Sequence, residues 1–284
     1  ALNLMEHGHE IVAFDLDKNL VKEAASHGAI PASSLEDVAS KFDEKRIIWM
    51  MVPAGDATES VFSQISPYLT ADDIIIDGGN ANYKDTIRRY ETSLESGINY
   101  IDVGTSGGTE GARHGACTMV GGDEDIVKEV EQIFVDVSIE NGYLYTGKSG
   151  SGHFVKMIHN GIEYGMMQAM GEGFDILEAS PYDFNYEEIA RVWNHGSVIR
   201  SWLMELMQDA FAADPNLDEI KGIVHASGEG KWTVETALEY EVAAPVIAMS
   251  LMARNRSLKT DTFSGKVVAS LRNQFGGHAV VSND

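Results

Sequence analysis

Short apolar segments alternate with helical patterns along the first half of this 284-residue chain. The apolar segments are residues 10–15, 46–52, 74–77 and 100–103, and the helical patterns cover 19–27, 55–65 and 84–96. Continuous apolar strands between helices are typical of a parallel sheet that is covered on both faces. We therefore expect a doubly wound α/β fold, in which residues 118–122 and 143–145 extend the sheet.

The pattern changes at a Gly/Ser-rich segment, residues 147–152. Beyond this segment the strand signals stop, and helical patterns cover 152–178, 186–193, 198–211 and 245–256. Clusters of Gly and Ser between periodic segments mark linkers or helix entries. The sequence therefore predicts two domains, an α/β domain at 1–149 and an all-helical domain at 150–284.

The first residues have the pattern of a helix end. Residues 1–7 are helical in pattern, and Gly8 follows them as a C-cap. A doubly wound fold normally begins with a strand and a glycine-rich loop before such a helix. We therefore expect the first βα unit to be truncated here, with the glycine-rich loop upstream of Ala1.

The composition excludes several classes of function. Acidic residues outnumber basic ones by 44 to 21, and the net charge of −23 opposes binding to nucleic acid or to an anionic membrane. The single Cys117 cannot form an internal disulfide, no signal peptide is visible, and no apolar run approaches the ~18 residues of a membrane span. The nine histidines form no zinc-binding motif. We expect a cytoplasmic protein without a dedicated metal site.

Five different polar side chains recur at helical spacing within residues 156–164. Lys156, His159, Asn160, Glu163 and Tyr164 stand at i, i+3, i+4, i+7 and i+8, so a helix carries all five on one face. A solvent face is usually rich in interchangeable Lys and Glu, whereas these are five unlike groups. The remaining positions are apolar nearly all round, which favours a buried helix. This pattern predicts the wall of an active site.

Small polar loops follow the predicted strands at one edge of the sheet. Residues 52–55, 77–80 and 104–111 each follow an apolar segment, and ligands in such sheets bind at the carboxyl ends of the strands. Asp15 ends the first apolar segment, where an acid can accept hydrogen bonds from an adenosine ribose and thereby favour NAD over NADP. The alternative interpretations are ordinary turns for the loops and a helix cap or a solvated charge for Asp15.

The cationic residues of the second half allow more than one interpretation. Arg254 follows an apolar helical stretch, which places it at the surface by pattern alone. Arg272 and His278 flank a glycine turn, and such a pair in an acidic protein indicates either an anion site or a frayed tail. Trp193, Trp202 and Trp232 lie in helical patterns and are expected in the core.

These motifs together resemble those of the decarboxylating 6-phosphogluconate dehydrogenases. The resemblance covers essentially the whole chain, and its most specific motif is the string at 156–164. The short length of the helical domain resembles that of the short-chain branch of the family. Supporting motifs occur in order at 106–108, 230–233, 253–254 and 272–278. The resemblance implies a Rossmann-like dinucleotide-binding domain, a helical substrate domain, and oxidative decarboxylation of 6-phosphogluconate to ribulose 5-phosphate with NAD or NADP.

The resemblance also implies a role for each matched residue. Lys156 would be the general base for the C3 hydroxyl, and Glu163 would protonate C1 of the enediol after decarboxylation. The implied ligands of the substrate carboxylate and hydroxyls are Asn80, Ser106, Gly107, Gly108, His159 and Asn160. The implied phosphate ligands are Tyr164, Arg254, Arg272 and His278, and the implied cofactor contacts are Asp15, Val52, Pro53, Ala54 and Asn80. Family members pass the C-terminal tail to a neighbouring subunit, which implies a homo-oligomer.

One segment departs from the family pattern. Where long-chain members have Lys-Gly-Thr-Gly-Lys-Trp-Thr, this chain has Ser227-Gly-Glu229-Gly-Lys-Trp-Thr. Both phosphate contacts of that segment are therefore absent, and Glu229 would repel a phosphate unless it points away. Two alternatives to the implied activity are a non-decarboxylating 3-hydroxyacid dehydrogenase and a non-catalytic sensor of sugar acids or nucleotides. Release of carbon dioxide discriminates the implied activity from the first alternative, and binding of 6-phosphogluconate without turnover would favour the second.

Overall fold

A computed structural model describes residues 1–282 of the chain. It divides into two compact units, Ala1–Met157 and Ile158–Asp284. The first unit contains all the named strands, and the second is helical. The α/β class and the helical class expected for the two parts of the sequence are therefore confirmed.

The first unit contains a two-stranded and a five-stranded sheet. The two-stranded sheet pairs β1 with β2 in parallel, and the larger sheet has the order β3-β4-β5-β6-β7. The strands are β1 Val12–Ala13, β2 Ile30–Pro31, β3 Ile47–Met50, β4 Ile74–Asp77, β5 Asn99–Ser106, β6 Ala116–Gly121 and β7 Ser138–Gly147. The 118–122 and 143–145 segments thus extend the larger sheet, as expected from the sequence.

The strand directions differ from the expected all-parallel sheet at one position. The β5–β6 pair is antiparallel, with Asp102 opposite Gly121 and Ser106 opposite Cys117. Only residues 107–115 connect these two strands, and a parallel crossover needs a dozen or more residues. The short connection therefore turns β6 back along β5, whereas the other pairs of the sheet are parallel.

Helices cover both faces of the larger sheet. Ile75 of β4 packs into one apolar cluster with Phe62 and Tyr100, whereas Ile74 and Ile76 pack into another on the opposite side. All residues of β4 are buried, which explains why the strand is a continuous apolar run. The helices are α1 Leu2–Glu6, α2 Lys18–Ser26, α3 Leu35–Ser40, α4 Asp56–Ile65, α5 Tyr83–Glu95, α6 Gly108–His114, α7 Glu124–Glu129 and α8 Glu131–Val137, with a 3₁₀ turn at Ser66–Tyr68.

The longest helix, α9, runs from Ser151 to Glu178 and continues from the first unit into the second. It is less buried than its apolar composition predicts, because Val155, Ile162 and Met166 are 38%, 53% and 41% exposed. These three side chains share a face of the helix that the other described residues, within 1–282, cover only in part. Lys156 and Tyr164, in contrast, are buried.

The second unit packs its helices around an aromatic core. Phe174 of α9 lies 4.9 Å from Phe211, measured between ring centres, and Tyr186 contacts both rings. Trp193 packs against this core, but Trp202 is 45% exposed, so its expected core position is wrong. The helices are α10 Tyr186–Trp193, α11 Trp202–Ala213, α12 Gly228–Glu239, α13 Pro245–Ser257 and α14 Phe263–Gly276.

Candidate active site

Two loops lie together at the carboxyl ends of β3 and β4. A Cβ atom added to Gly79 would lie 2.5 Å from the carbonyl oxygen of Val52, so only glycine allows this approach. The Thr58 hydroxyl donates to the Pro53 carbonyl at 2.9 Å, which fixes the first loop to the start of α4. The segments 52–54 and 78–80 therefore occupy the edge of the sheet where ligands of such folds bind.

Asn80 joins the second loop to β5. Its side-chain Nδ2 donates to the Thr105 carbonyl at 3.1 Å, and its Oδ1 accepts from the Thr105 amide at 2.9 Å. The residue has a φ of 50°, a left-handed conformation that asparagine tolerates better than most residues. Asn80 thus positions the backbone that leads into Ser106, and its contacts with substrate or cofactor stay a prediction.

The segment expected as a loop at 104–111 is mostly regular structure. Strand β5 continues to Ser106, and α6 begins at Gly108, so only Gly107 separates the two elements. Gly107 has a φ of 131°, which β-branched or bulky residues cannot easily adopt. The pairing of β5 with β6 explains the longer strand, because it continues to Ser106 opposite Cys117.

A buried carboxyl group holds the first turn of α9. Asp102 accepts hydrogen bonds from the backbone amides of Gly150, at 2.6 Å, and His153, at 2.8 Å. These are two of the amide groups that a helix start leaves without intrahelical partners. Burial raises the pKa of Asp102 above its ordinary value, and the amide hydrogen bonds oppose that rise.

The same first turns of α9 bring Lys156 against β5. A Cβ atom added to Gly104 would lie 2.4 Å from the Cβ of Lys156, so the helix and the strand are in direct backbone contact there. Lys156 is 5% exposed. The Cβ end of the Lys156 side chain therefore lies against Gly104, two residues before Ser106 on β5, and this contact is within the first unit.

His159 and Glu163 face each other on successive turns of α9. The His159 Nδ1 lies 2.9 Å from Asn160 Oδ1 and 4.0 Å from Glu163 Oε2. The Glu163 side chain is 20% exposed and that of His159 is 40% exposed, so both remain accessible to a ligand or to water. This part of the predicted stripe therefore combines a carboxyl group, an imidazole and an amide in one neighbourhood.

Tyr164 is at the centre of a second polar group in the helical unit. Its ring lies 3.3 Å from the guanidinium carbon of Arg254, and its hydroxyl lies 3.1 Å from Ser227 Oγ and accepts from the Ser227 amide at 3.2 Å. A Cβ atom added to Gly230 would lie 2.3 Å from the same ring. Tyr164 thus supports Arg254, and direct contact of its hydroxyl with a phosphate stays a prediction.

Arg254 is 2% exposed, so the surface position suggested by its local pattern is wrong. Burial lowers its pKa to about 10, at which the side chain is still a cation at neutral pH. Burial also lowers the pKa of Arg272, and burial together with the Arg272 charge lowers that of His278. Among residues 1–282, neither arginine forms a salt bridge with a carboxylate. Arg254, Arg272 and His278 are hereafter called the cationic cluster, in which the two arginines carry the positive charge and His278 is held toward its neutral form.

The C-terminal segment is folded onto its own chain up to the last described residues. Arg272 lies in α14, and Gly277 ends that helix with a φ of 60°. Asn273 Nδ2 donates to the His278 carbonyl at 3.0 Å, and the His278 ring packs edge-on against Phe275. A frayed tail is therefore excluded up to His278. The homo-oligomer, and the reach of the C-terminal tail to a neighbouring subunit, stay predictions.

Asp15 is exposed, and its Oδ1 accepts from the Asp17 amide at 2.8 Å. The cap of α2 is Asp17 rather than Asp15, because Asp17 accepts from the Asn19 amide. The helix-cap alternative for Asp15 is therefore wrong, whereas its contact with a ribose stays a prediction.

Sequence reasoning missed two residues that shape the site. Asp102 lay inside a predicted strand, and the signal that could have found it is an ionisable residue in an otherwise apolar run. His153 is 1% exposed, and its Nδ1 lies 2.8 Å from Thr86 Oγ1.

Within residues 1–282, no cluster of His, Cys, Asp and Glu is suitable for a metal, and no helix is both long and apolar enough to cross a membrane.

Models of one protein family match both parts of the chain. Residues 1–147 match the NAD binding domain of 6-phosphogluconate dehydrogenase, and residues 152–279 match the C-terminal domain of 6-phosphogluconate dehydrogenase. YqeC of Bacillus subtilis, which is named as a candidate 6-phosphogluconate dehydrogenase, is 59% identical over 97% of this chain and 92% of its own length. The NAD⁺-dependent, decarboxylating 6-phosphogluconate dehydrogenase of Haloferax volcanii is 43% identical over 99% of this chain and 94% of its own.

Solved structures agree with these sequence relationships. The 6-phosphogluconate dehydrogenase of Plasmodium falciparum superposes with a TM-score of 0.82 and 31% identity, covering 90% of this chain and 59% of that longer chain. The 3-hydroxyisobutyrate dehydrogenase of Mycobacterium tuberculosis superposes with a TM-score of 0.72 over 95% of this chain and 94% of its own, but at 18% identity. The second likeness therefore concerns the fold alone.

Proposed function

Because this chain belongs to the 6-phosphogluconate dehydrogenase family, we propose that it oxidises and decarboxylates 6-phosphogluconate to ribulose 5-phosphate and carbon dioxide, with reduction of NAD or NADP. The observation that carries the proposal is the set of groups on α9: Lys156, buried against β5, and Glu163, seven residues later beside His159. On a helix, seven residues separate two groups by about 10 Å along the axis. The reaction needs a base at C3 and an acid at C1, and these two residues are of the required types.

The residues at the carboxyl ends of β3 and β4 fit a nicotinamide cofactor. Val52, Pro53 and Ala54 lie in a loop that packs closely against Gly79, and both loops lie at the edge of the sheet where such folds bind a dinucleotide. Such a cofactor, when bound, accepts the hydride that leaves C3 of the substrate. We propose that Asp15, which is exposed beyond β1, accepts the ribose hydroxyl hydrogen bonds and so favours NAD over NADP.

Lys156 has two successive tasks in this proposal. It first accepts the proton of the C3 hydroxyl as the C3 hydride departs, and the product is a 3-keto acid. The protonated Lys156 then donates a hydrogen bond to the ketone oxygen, which stabilises the enolate that forms as the C1 carboxylate leaves as carbon dioxide. A buried position suits both tasks, because low solvent access strengthens the hydrogen bond to the developing charge.

Glu163 completes the reaction by protonating C1 of the enediol. Its carboxyl group lies 4.0 Å from His159 Nδ1, which can exchange a proton with it or restrict its rotation. We propose that Ser106, Gly107, Gly108, His159 and Asn160 hold the carboxylate and hydroxyl groups of the substrate, together with Asn80.

The phosphate of the substrate is assigned to the cationic cluster. Arg254, fixed on the Tyr164 ring, and Arg272 provide two cations that lack a carboxylate partner within residues 1–282. Arginine binds phosphate through several N–H groups at once, and the cost of burying its charge is offset when the anion arrives.

Further proposals are a domain boundary at 149/150, a homo-oligomer and a cytoplasmic location.

Turnover tests the proposed function directly. Reduced nicotinamide should appear, by its absorbance, when 6-phosphogluconate is added to the protein with NAD, and more slowly with NADP. Failure with both cofactors would contradict the assigned activity. Faster turnover with NADP would contradict only the role of Asp15.

A further inference from the structure

A buried carboxylate oxygen lies unpartnered near the cationic cluster. Among residues 1–282, Glu229 Oε2 is buried and has no hydrogen-bond donor. Glu229 belongs to the first turn of α12, next to Gly230, which packs against the Tyr164 ring. A buried acceptor without a donor costs free energy, so its persistence indicates that a donor arrives with a ligand.

Glu229 is near the cations but not paired with them. The negative charge of Glu229 raises the pKa values of Arg272 and His278 and so partly offsets the lowering that burial causes. Nevertheless, within the described residues no ion pair of 4.0 Å or less joins Glu229 to a cation. Groups of a ligand can bridge a carboxylate and a guanidinium that do not touch each other.

The ligand of such a site must bring two kinds of oxygen atom. The arginines are donors only and bind anionic acceptor oxygens, whereas a carboxylate only accepts and needs a donor, which a sugar phosphate can supply only as an O–H group. A tetrahedral oxyanion with no proton satisfies the arginines but places a bare negative oxygen against Glu229. A phosphate that carries a P–O–H group, or a phosphate ester with a hydroxyl beside it, satisfies both.

We propose that Glu229 is a specificity-determining residue, which accepts a hydrogen bond from an O–H group at the phosphorylated end of the ligand. The anion site therefore discriminates phosphate from sulfate, which has the same shape but no proton near neutral pH. The inference rests on the proposed function only in assigning this end of the site to the substrate phosphate. It concerns anion binding, which can be measured without turnover.

Calorimetric titration of the full chain with inorganic phosphate and with sulfate at pH 7 tests the proposal. We expect phosphate to bind at least about tenfold more tightly than sulfate, because sulfate leaves Glu229 without a donor. In Glu229→Gln the amide can donate to either anion, so sulfate should gain about tenfold and the preference should fall to about twofold or less. In Arg272→Met both anions should bind at least about tenfold more weakly, which locates the titrated site.

The matched control is Glu235→Gln, which changes an exposed carboxylate on the same helix that pairs with Lys231 at 3.4 Å. Its preference for phosphate should equal that of the wild-type protein. Equal binding of the two anions by the wild type, no binding of either, or an unchanged preference in Glu229→Gln would each overturn the proposal. A preference that disappears equally in Glu235→Gln would overturn it too.

The wild-type comparison needs no variant, so misfolding of Glu229→Gln cannot leave the result open. To separate this inference from the proposed function, 6-phosphogluconate turnover is measured on the same preparation. Loss of the phosphate preference with normal turnover refutes only the role of Glu229. A clear preference without turnover refutes the activity and retains the anion site.

To separate the two sources of the O–H group, 6-phosphogluconate and 6-phospho-5-deoxygluconate, which lacks the hydroxyl beside the phosphorylated carbon, are titrated in the same way. If the wild-type protein binds the deoxy compound about tenfold more weakly than 6-phosphogluconate, and Glu229→Gln binds both equally, the donor is that hydroxyl. Equal binding of the two compounds assigns it to the phosphate proton. Both results retain an O–H donor at Glu229, provided that the phosphate preference is present.

Discussion

The guanidinium carbon of Arg254 lies 3.3 Å from the centre of the Tyr164 ring, and both side chains are 2% exposed. Stacking on an aromatic face stabilises a cation that has been removed from water. Because the Tyr164 hydroxyl is also bonded to Ser227, the ring cannot turn away without losing hydrogen bonds. The pair therefore holds a positive charge in a fixed position.

Gly230→Ala should disturb this pair. The added methyl group would lie 2.3 Å from the Tyr164 ring, so the ring or α12 must move. We expect a loss of about 1–3 kcal/mol in the free energy of unfolding, measured by denaturant titration, and an increase in the KM for 6-phosphogluconate. Gly173→Ala in α9 is the matched control, because no atom lies within 4 Å of its added methyl group and alanine favours a helix. Equal stability of the two variants would show that the packing at Gly230 is unimportant.

Lys156→Met should abolish reduction of the cofactor. The substitution keeps an unbranched side chain against Gly104 but removes the amine that we propose as the acceptor of the C3 proton. We expect kcat to fall by at least about 10²-fold, measured by the absorbance of reduced nicotinamide, with little loss of stability. Lys128→Met, at an exposed lysine paired with Glu124, should remain fully active. Substantial turnover by Lys156→Met would contradict the assigned base.

Glu163→Gln should slow protonation of the enediol. The amide keeps the shape of the side chain beside His159 but cannot deliver a proton to C1. We expect release of ribulose 5-phosphate to slow by about 10²–10⁴-fold, whereas reduction of the cofactor in the first turnover is less affected. Glu172→Gln on the same helix, where the carboxylate accepts from Gln168, is the control and should behave as the wild type. If Glu163→Gln released product at the normal rate, the acid would have to be another group.

Asp15→Asn should change the cofactor preference. Removal of the exposed negative charge reduces repulsion of the 2′-phosphate of NADP and weakens the hydrogen bonds to the ribose of NAD. We therefore expect the ratio of kcat/KM for NAD to that for NADP to fall by about tenfold. Glu23→Gln, which removes an exposed charge from α2, should leave the ratio unchanged. An unchanged ratio in Asp15→Asn would show that another residue sets the preference.

The sequence predicted the elements whose patterns are local. Helix α10 has the predicted bounds, Tyr186–Trp193, because its amphipathic pattern begins at the capping residue Asn185. The bounds of helix α12 were not predicted, although Trp232 was placed in a helical pattern, since Gly228 and Gly230 are typical of loops. The antiparallel β5–β6 pair was also missed, because strand direction depends on the length of the connection rather than on apolar composition.

Helical spacing predicted only the part of the candidate site that lies on α9. The side chains of Lys156, His159, Asn160, Glu163 and Tyr164 lie on one helix, as their spacing indicated. The burial of Arg254 was not predictable from its neighbours in the sequence, because it depends on a ring ninety residues earlier in the chain. The same limit applies to Glu229, whose surroundings come from α9, α12 and the C-terminal segment.

The decisive measurement for oxidative decarboxylation is the ratio of carbon dioxide released to cofactor reduced. The substrate would be 6-phosphogluconate labelled with carbon isotope at C1, with Lys156→Met as the blank for uncatalysed loss of the label. We expect one labelled carbon dioxide for each reduced nicotinamide, because the 3-keto acid does not accumulate. Reduced nicotinamide without labelled carbon dioxide would contradict it and indicate a 3-hydroxyacid dehydrogenase, and binding of the substrate without either product would indicate a sensor.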